Sequence, residues 1–321
     1  MIRVGVLGCA AIARRSLLPA FARHANFSTV AVASRVPENV SGLGDEYGCR
    51  VCDYESLVAS DDVDLVYCPL PTGLHYGWVK RALEAGKHVL CEKSLACSPA
   101  EVRDLVDTAR QHSRFLMESF QFRFHEQNLF VKECIDSRRI GEIRRVSVCF
   151  GIPPFPEGAK NIRYSKELGG GALLDNGAYT TKCATYLLGK KNVRVLAAMA
   201  GGFTPELGDV DLTGSIMMSV GSVPIQTSYG FDHFYQNGYV IWGTQGCITT
   251  TRAFTAREDF EAPVVIETVE GREVRTFRDD HFARMLDYVA KCIVGQEFEG
   301  EYEECLVQAD LIADVRKAAS L

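Results

Sequence analysis

The fold is decided by residues 2–13, IRVGVLGCAAIA, near the start of the chain. Residues 2–7 form an apolar run typical of a strand that is buried on both faces, and Gly8 ends the run. A helical pattern follows from about Ile12 to His24. This order of strand, tight glycine turn and helix predicts the first unit of an alternating α/β domain.

The same alternation continues to about residue 119. Further strands are predicted at 27–34, 50–52, 65–70, 88–93 and 114–119, and helices at 12–24, 38–47, 75–85 and 99–112. The last helix has a clear start, because Ser98 is a good N-cap and Pro99 suits the first helical position. Short strands that alternate with helices predict a mostly parallel sheet, so we expect residues 1–119 to form a Rossmann-type domain.

Beyond residue 120 the pattern changes. Helices are predicted at 125–137 and 177–188 and near the end of the chain at 279–294 and 301–319, and strands dominate between residues 193 and 254. A run of strands with few crossovers predicts an open, mostly antiparallel sheet with helices on one face. Residues 120–321 are therefore expected to form a second, α+β domain that binds the substrate.

The turn after the first strand fits a dinucleotide site. Gly8, Ala10 and Ala13 match the template G-x-G-x-x-G/A, with alanine in place of the middle glycine. Gly8 permits a tight turn, Ala10 leaves room for a pyrophosphate, and the free N–H groups of a helix start attract its charge. The predicted phosphate-binding turn comprises Gly8, Cys9, Ala10, Ala11 and Ile12.

The end of the second strand discriminates between the two nicotinamide cofactors. NAD-binding proteins carry Asp or Glu there to hold the ribose hydroxyls, whereas this strand ends in Ala33-Ser34-Arg35. A hydroxyl and a guanidinium suit a 2′-phosphate, and no carboxylate is present to repel it. The sequence therefore favours NADP(H) over NAD(H), with a solvated surface arginine as the alternative interpretation of Arg35.

The composition excludes several classes of protein. The chain has 321 residues, 47% hydrophobic and 24% charged, with a net charge of −6, which gives no reason to expect a nucleic acid or a membrane as partner. No apolar run approaches the roughly 20 residues that span a bilayer, and the start reads as a strand rather than a signal peptide, so a cytoplasmic protein is expected. The 12 scattered cysteines suit reduced thiols, and no metal site is predicted.

Several stretches together resemble one family. They are Gly8–Ala13, PLPTGLH at 69–75, AGKHVLCEK at 85–93 and GGGALLD at 169–175, and they resemble the glucose–fructose oxidoreductase/inositol dehydrogenase (Gfo/Idh/MocA) family. The resemblance implies a Rossmann domain followed by a domain whose open sheet commonly mediates homo-oligomerisation, as a dimer or tetramer. It also implies hydride transfer between a nicotinamide and a sugar-like alcohol or ketone. Residues placed near the cofactor by this resemblance are Pro69, Leu70, His75, Glu92 and Lys93.

A narrower resemblance is to the bacterial NDP-hexose 3-ketoreductases. It rests on NIRY at 161–164, ELGGGAL at 167–173, YVIWG at 239–243 and RAFT at 252–255. These ketoreductases carry a tyrosine at the position of Tyr179, where many other members of the family carry histidine.

The candidate catalytic residues come from both parts of the chain. Lys93 follows a buried strand at the sheet edge where α/β domains bind ligands, and Asp175 and Tyr179, four residues apart, share one face of a predicted helix. A phenol, with an unperturbed pKa near ~10, stays protonated at neutral pH and can donate a proton to a developing alkoxide. We therefore expect Tyr179 to donate the proton, Lys93 to polarise the substrate oxygen, and Asp175 to orient a sugar hydroxyl or the ribose. Each residue also has a structural interpretation. Lys93 would then be an exposed surface lysine, and Tyr179 a helix residue that packs under the sheet.

Three further residues are candidates for contacts with ligands. Arg123 and Arg163 could reach phosphate groups of the cofactor or of a nucleotide sugar. Tyr235 could stack on a sugar, although an aromatic core residue is the commoner explanation.

Members of the family usually have proline after Glu-Lys, whereas Ser94 stands here. The sequence leaves open whether the peptide bond at this bend is cis or trans.

The function expected from these observations is reduction of a keto-sugar by NADPH, with a nucleotide-linked 3-keto-deoxyhexose as the expected substrate and with Lys93 and Tyr179 meeting beside the nicotinamide ring. One alternative is an NAD(P)-dependent dehydrogenase of a free sugar, an inositol or a dihydrodiol. Another is a regulator that senses a nucleotide without turnover, and the presence of both Lys93 and Tyr179 argues against it.

Overall fold

The computed structural model describes the backbone of residues 1–321 and all side chains except those of residues 37, 41, 159 and 205. The chain forms two compact units. The first consists of Met1–Ser119 with Phe282–Leu306, and the second of Phe120–His281 with Val307–Leu321. No helix in the described part of the chain is both long and apolar enough to cross a membrane.

The first unit contains a six-stranded parallel sheet. Its strands are β1 (Ile2–Leu7), β2 (Phe27–Ala33), β3 (Arg50–Cys52), β4 (Leu65–Cys68), β5 (His88–Glu92) and β6 (Leu116–Ser119). Their order in the sheet is β3-β2-β1-β4-β5-β6, the doubly wound order in which the direction of winding changes between β1 and β4. The strands β1, β4 and β5 are buried because helices cover both faces, as their continuous apolar sequences predicted.

Helices alternate with these strands. A π-helical turn at Ala13–Leu17 leads into α1 (Leu18–Arg23), and α2 (Ser41–Tyr47), α3 (Tyr54–Val58), α4 (Thr72–Glu84) and α5 (Pro99–Gln111) follow. The predicted start of α5 is confirmed and is stronger than expected. Ser98 accepts a hydrogen bond from the backbone N–H of Glu101, whose carboxylate in turn accepts one from the N–H of Ser98, which forms a capping box. The short helix α3 was not predicted.

Residues near the C-terminus complete the first unit. Two helices, α8 (His281–Gly295) and α9 (Glu299–Ala319), follow the strands of the second unit, and residues 282–306 pack within the first. The ring of Phe298 lies 6.0 Å from that of Phe115, and the hydroxyl of Tyr302 donates to the carbonyl of Arg114. The first unit thus includes a segment beyond residues 1–119, and the division into two functional domains, 1–119 and 120–321, stays a prediction.

The second unit contains an eight-stranded sheet. Its strands are β7 (Ile143–Gly151), β8 (Val193–Gly201), β9 (Thr213–Val220), β10 (Val223–Gly230), β11 (Gln236–Gly243), β12 (Gly246–Thr250), β13 (Ala262–Thr268) and β14 (Gly271–Phe277). The order is β14-β13-β12-β11-β7-β10-β9-β8, and only the β7–β10 pair is parallel among the described pairs. The predicted mostly antiparallel sheet is confirmed, and β13 and β14 extend it beyond the predicted strands.

Helices pack on one face of this sheet. They are α6 (Glu126–Asp136), against β13 and β14, and α7 (Ala178–Leu188), against β7, β9 and β10. The sheet also exposes large apolar side chains, among them Leu196, Met199, Met217 and Trp242. Such exposed apolar surface is typical of interaction sites. The predicted homo-oligomer through this sheet stays a prediction.

A buried histidine in the second unit predicts how stability depends on pH. His281 is 4% exposed and lies 5.5 Å from His125, ring centre to ring centre. Burial, and secondly the charge of His125, lower the pKa of His281 to about 4, against the opposing effect of Asp279 and Asp280. The folded-state pKa of His281 lies below its unfolded value. The stability that this neutral histidine contributes is therefore fully present above about pH 6.5 and is lost as the pH falls towards about 4.

We therefore expect the free energy of unfolding to fall by about 2 kcal/mol between about pH 7 and about pH 5 through this one group. Urea unfolding at the two pH values, compared between the parent and His281→Phe, measures the effect. The variant should lose that part of the pH dependence. The same pH dependence in both proteins would assign the proton uptake to other groups.

Candidate active site

The turn after β1 has the geometry that its sequence predicts. Gly8 adopts φ +97°, and a Cβ at this position would lie 2.9 Å from Cδ2 of Leu70, so both the conformation and the space call for glycine. The N–H of Gly8 donates to the carbonyl of Ala33 at 2.7 Å, which fixes the turn to the end of β2. Helical bonding begins at once, with the N–H of Arg14 donating to the carbonyl of Ala10 at 3.2 Å.

The end of β2 carries a hydroxyl and a guanidinium as predicted. Ser34 is buried, and its hydroxyl accepts the N–H of Val36 at 3.1 Å. Arg35 is exposed and forms no ion pair with any residue that the structure describes. Burial raises the pKa of the Tyr54 phenol, and the positive charge of Arg35 opposes this shift, so the two side chains lie close together.

These features fit a phosphate-bearing dinucleotide. The hydroxyl of Tyr54 lies 3.6 Å from where a Cβ of Gly8 would be, so this phenol, the glycine turn and Arg35 form one patch at the end of β1 and β2. Free N–H groups at a helix start and an unpaired guanidinium are the groups that hold pyrophosphate and a 2′-phosphate. Tyr54 was not predicted, because nothing in its local sequence marks it. The cofactor contacts of the individual residues stay predictions.

The loops after β4 and β5 are joined by His75. This side chain is fully buried, with Nε2 2.6 Å from the carbonyl oxygen of Leu70 and Nδ1 2.8 Å from that of Ser94. Burial lowers the pKa of His75, and the two carbonyls oppose that shift. The geometry gives His75 a structural role in holding the two loops. Its predicted contact with the nicotinamide, together with those of Pro69 and Leu70, stays a prediction.

Lys93 lies at the carboxyl end of β5, at the predicted sheet edge, and is half-buried. The peptide bond between Lys93 and Ser94 is cis, which answers the question that the serine raised. Beyond it, the N–H of Leu95 donates to the carboxylate of buried Glu118 at 3.0 Å. The backbone after the lysine is therefore held on two sides, by His75 and by Glu118.

Glu92, beside the lysine, accepts a hydrogen bond from the hydroxyl of Tyr67 at 2.8 Å. Burial raises the pKa of Glu92, whereas the Tyr67 hydrogen bond and the charge of Lys93 lower it. Glu92 is therefore a supporting group on the first unit, and its predicted contact with the cofactor stays a prediction.

In the second unit, Asp211 contacts the start of the helical segment that follows the glycine-rich stretch at residues 169–171. Gly171 has φ +109°, and a Cβ there would lie 2.3 Å from Oδ1 of Asp211. The backbone carbonyl of Asp211 accepts the N–H of Ala172 at 2.8 Å, and its carboxylate accepts that of Leu173 at 2.7 Å. Burial raises the pKa of Asp211, and the Leu173 N–H opposes the shift. This carboxylate thus caps the helical segment that carries Asp175.

Asp175 and Tyr179 lie on that segment, which begins with a π-helical turn (Leu173–Gly177) and continues as α7. The carboxylate of Asp175 accepts a hydrogen bond from Nε of Arg163 at 2.5 Å. The charge of Asp175 raises the pKa of the Arg163 guanidinium, and Tyr179 contributes to the same shift. The structure therefore brings these three predicted residues together. The proposed contact of Arg163 with a phosphate stays a prediction.

The phenol of Tyr179 is fixed by a buried amide. Tyr179 is 7% exposed, and its hydroxyl lies 3.2 Å from Nε2 and 3.3 Å from Oε1 of Gln121. The same Nε2 donates to the carbonyl of Phe254 at 3.2 Å, which orients the amide. The Tyr179 ring is surrounded by Phe120, Phe122, Phe150 and Phe254, with centroids 5.3–6.0 Å away. A hydroxyl held in this way has a defined direction in which to give up its proton.

Tyr235 is half-buried, and one partner already stacks on its ring. The guanidinium carbon of Arg252 lies 4.1 Å from the ring centroid. The predicted stacking of a sugar on Tyr235 stays a prediction, and a sugar would have to use surface that the arginine leaves open.

Sequence reasoning missed Gln121, Glu118 and Asp211. A signal existed for Glu118 and Gln121, because Glu118 is the penultimate residue of β6 and Gln121 follows the strand, at the sheet edge where ligands of α/β domains bind. For Asp211 no local signal exists, since it lies 38 residues after the N–H that its carboxylate caps.

Comparison with known protein families agrees with this architecture. Residues 2–120 match the family described as the oxidoreductase family with an NAD-binding Rossmann fold, and residues 129–249 match the GFO/IDH/MocA C-terminal domain. The two matches together cover more than half of the chain.

Curated relatives align over nearly the whole chain. A dTDP-3,4-didehydro-2,6-dideoxy-alpha-D-glucose 3-reductase from Streptomyces violaceoruber is 37% identical, with 100% of this chain and 96% of the relative covered. The protein of the same name from Saccharopolyspora spinosa is 40% identical over 83% of this chain and 79% of its own length.

A solved structure is equally similar. The 3-ketoreductase of Actinomadura kijaniata, in complex with NADP and TDP-benzene, superposes with a TM-score of 0.93 at 36% identity and covers 99% of this chain and 97% of its own. Structures of that reductase have also been solved with a tyrosine replaced by phenylalanine and with a lysine replaced by alanine.

Proposed function

Because this chain belongs to the Gfo/Idh/MocA family of NAD(P)-dependent oxidoreductases, as its motifs predicted, we propose that it reduces a TDP-linked 3-keto-deoxyhexose with NADPH. The keto carbon receives a hydride and the keto oxygen a proton, so that the ketone becomes a secondary alcohol. The relatives that act on such sugars, aligned over nearly the full chain, support this substrate class.

The observation that carries the proposal is the phenol of Tyr179. Its hydroxyl is held by Gln121 at 3.2 Å, on a segment whose start is capped by Asp211. A protonated phenol with a fixed direction suits the reduction of a carbonyl, in which the oxygen gains negative charge and needs a proton. A protein that only senses a nucleotide has no need of this group.

The roles of the side chains follow from the chemistry of the step. NADPH, when bound, supplies the hydride with its electron pair. The ammonium of Lys93 donates a hydrogen bond to the keto oxygen and stabilises the charge that grows there. Tyr179 transfers its proton to that oxygen, and the resulting phenolate regains a proton from solvent. Asp175, held by Arg163 at 2.5 Å, accepts a hydrogen bond from a neighbouring sugar hydroxyl.

Steady-state kinetics test the proposal. The purified protein is given NADPH and a TDP-linked 3-keto-deoxyhexose, and the loss of NADPH absorbance is followed. A parallel panel contains free sugars, an inositol and a dihydrodiol with NADP⁺, which covers the dehydrogenase alternative. The proposal is supported if the keto-sugar is turned over with a higher kcat/KM than every compound of the panel. Turnover confined to the free alcohols, or none with any compound, refutes it.

The preference for NADPH has its own test in Arg35. We expect Arg35→Ala to weaken NADPH binding by about 10- to 100-fold, because a charge-assisted hydrogen bond to the 2′-phosphate is lost. NADH, which lacks that phosphate, serves as the matched control ligand and should change little. Fluorescence titration of both cofactors measures the two dissociation constants. An equal loss for the two cofactors would remove Arg35 as the discriminating residue.

A further inference from the structure

Arg252 presents a cation that the proposed mechanism does not use. It follows β12, is exposed and has a left-handed backbone conformation with φ +57°. Its guanidinium carbon lies 4.1 Å from the ring centroid of Tyr235 and 5.7 Å from that of Phe260. Within the described residues this guanidinium forms neither an ion pair nor a side-chain hydrogen bond, so its N–H donors remain available.

A buried amide holds this arginine and its aromatic support in place. Asn237, which is 2% exposed, accepts the backbone N–H of Arg252 with its backbone carbonyl oxygen at 2.7 Å. The side-chain amide of Asn237 donates to the hydroxyls of Tyr235 and Thr255, at 2.9 Å each. Its side-chain oxygen accepts the N–H of Phe254 at 3.0 Å. The cation therefore stands on a preorganised platform rather than on a mobile surface side chain.

The same short stretch reaches the proposed proton donor. Phe254, two residues after Arg252, packs its ring 5.7 Å from that of Tyr179. The carbonyl of Phe254 accepts a hydrogen bond from Gln121, whose amide also contacts the Tyr179 hydroxyl. Within the second unit, residues 252–255 thus link the Arg252 guanidinium, through Phe254 and Gln121, to the Tyr179 phenol.

The chemistry of the platform fits a phosphate. A guanidinium is a planar fork of N–H donors that matches phosphate oxygens, and stacking on an aromatic ring fixes its plane without using those donors. Nearby arginines are already paired with carboxylates, Arg257 with Asp259 and Arg278 with Glu261. Resting on the proposed function, we propose that Arg252, supported by Tyr235, binds the diphosphate of a nucleotide-linked substrate.

Binding of TDP to the full-length protein tests this site separately from turnover. Calorimetry should show that Arg252→Met weakens TDP binding by about 10- to 100-fold, as expected for the loss of a charge-assisted pair. Arg252→Lys should recover part of the affinity, and Arg257→Met, which breaks an exposed pair, is the matched control. Inorganic pyrophosphate and inorganic phosphate, titrated in the same way, distinguish a site for a nucleotide diphosphate from a site for any small anion.

The kinetic arm uses the keto-sugar. Arg252→Met should raise KM in the same proportion as the TDP dissociation constant and leave kcat and NADPH binding within about threefold of the parent, since the contact lies away from the reacting bond. Tyr235→Leu, which removes the support but keeps the charge, should give a smaller loss of TDP affinity. It also keeps the inference testable if the first variant does not fold.

The outcomes separate the two proposals. TDP binding that depends on Arg252, without turnover of the keto-sugar, supports the site and counts against the proposed reaction. Turnover with TDP affinity that is the same in the parent and in Arg252→Met overturns the site and leaves the reaction standing. Absence of TDP binding to the parent protein, or a loss of NADPH binding instead of TDP binding in the variant, also overturns the site.

Discussion

Tyr179→Phe should lower kcat by about 10²- to 10⁴-fold, the range that general acid catalysis contributes. The substitution removes one oxygen and keeps the ring, so the aromatic contacts with Phe120, Phe150 and Phe254 remain. The keto oxygen would then take its proton from water. Because the phenol acts late, on the alkoxide, the loss should appear in kcat and kcat/KM alike, with NADPH affinity kept.

The chain offers a matched control on the same helix. Tyr186 lies two turns further along α7, and its buried hydroxyl has no hydrogen-bond partner among the described residues. Tyr186→Phe therefore makes the same chemical change without touching the proposed chemistry, and kcat should stay within about twofold of the parent. Equal effects of the two substitutions would mean that Tyr179 is a packing residue.

Lys93→Met is the second change with a large expected effect. It keeps most of the apolar length of the side chain and removes the ammonium, so we expect kcat/KM to fall by about 10²- to 10³-fold, the loss typical of removing one donor to a developing oxyanion. Lys93→Arg keeps a positive charge in another shape and should recover only part of the rate. NADPH binding, followed by fluorescence, should persist in both variants.

Lys80→Met is the control for the lysine. Lys80 lies on α4 in the same unit, and its ammonium pairs with Asp104 at 2.7 Å on the surface. Loss of this pair should cost about 1 kcal/mol of stability at most and leave the kinetics unchanged. A parent-like rate in Lys93→Met would show that the lysine takes no part in the reaction.

The first unit was the more predictable part of the fold from sequence. Its strands are apolar runs, its helix α5 has a capping box at Ser98, and a glycine is required at Gly8, all of which are local signals. The sheet of the second unit was predictable as a class but not in detail. The parallel pairing of β7 with β10 joins strands more than 70 residues apart, and no local pattern reports such a pairing.

The candidate site divides in the same way. Lys93, Asp175 and Tyr179 were proposed from motif position and helical spacing, and their catalytic roles stay predictions. Gln121 was not proposed, since its contact with Tyr179 spans 58 residues of sequence and depends on the packing of the folded unit. Sequence thus indicates candidate groups that carry charge or protons, whereas the long-range contacts around them, made by Gln121, Glu118 and Asp211, emerge only from the folded chain.

Residues 282–306 belong to the first unit, so residues 1–119 alone, expressed by themselves or moved into another protein, would lack part of that unit. A fragment ending at Ser119 would leave Phe115 without its neighbour Phe298, and the carbonyl of Arg114 without the hydroxyl of Tyr302. Uncovered rings favour aggregation. A chimera that carries this unit into another scaffold would therefore have to bring both segments, joined by a new linker.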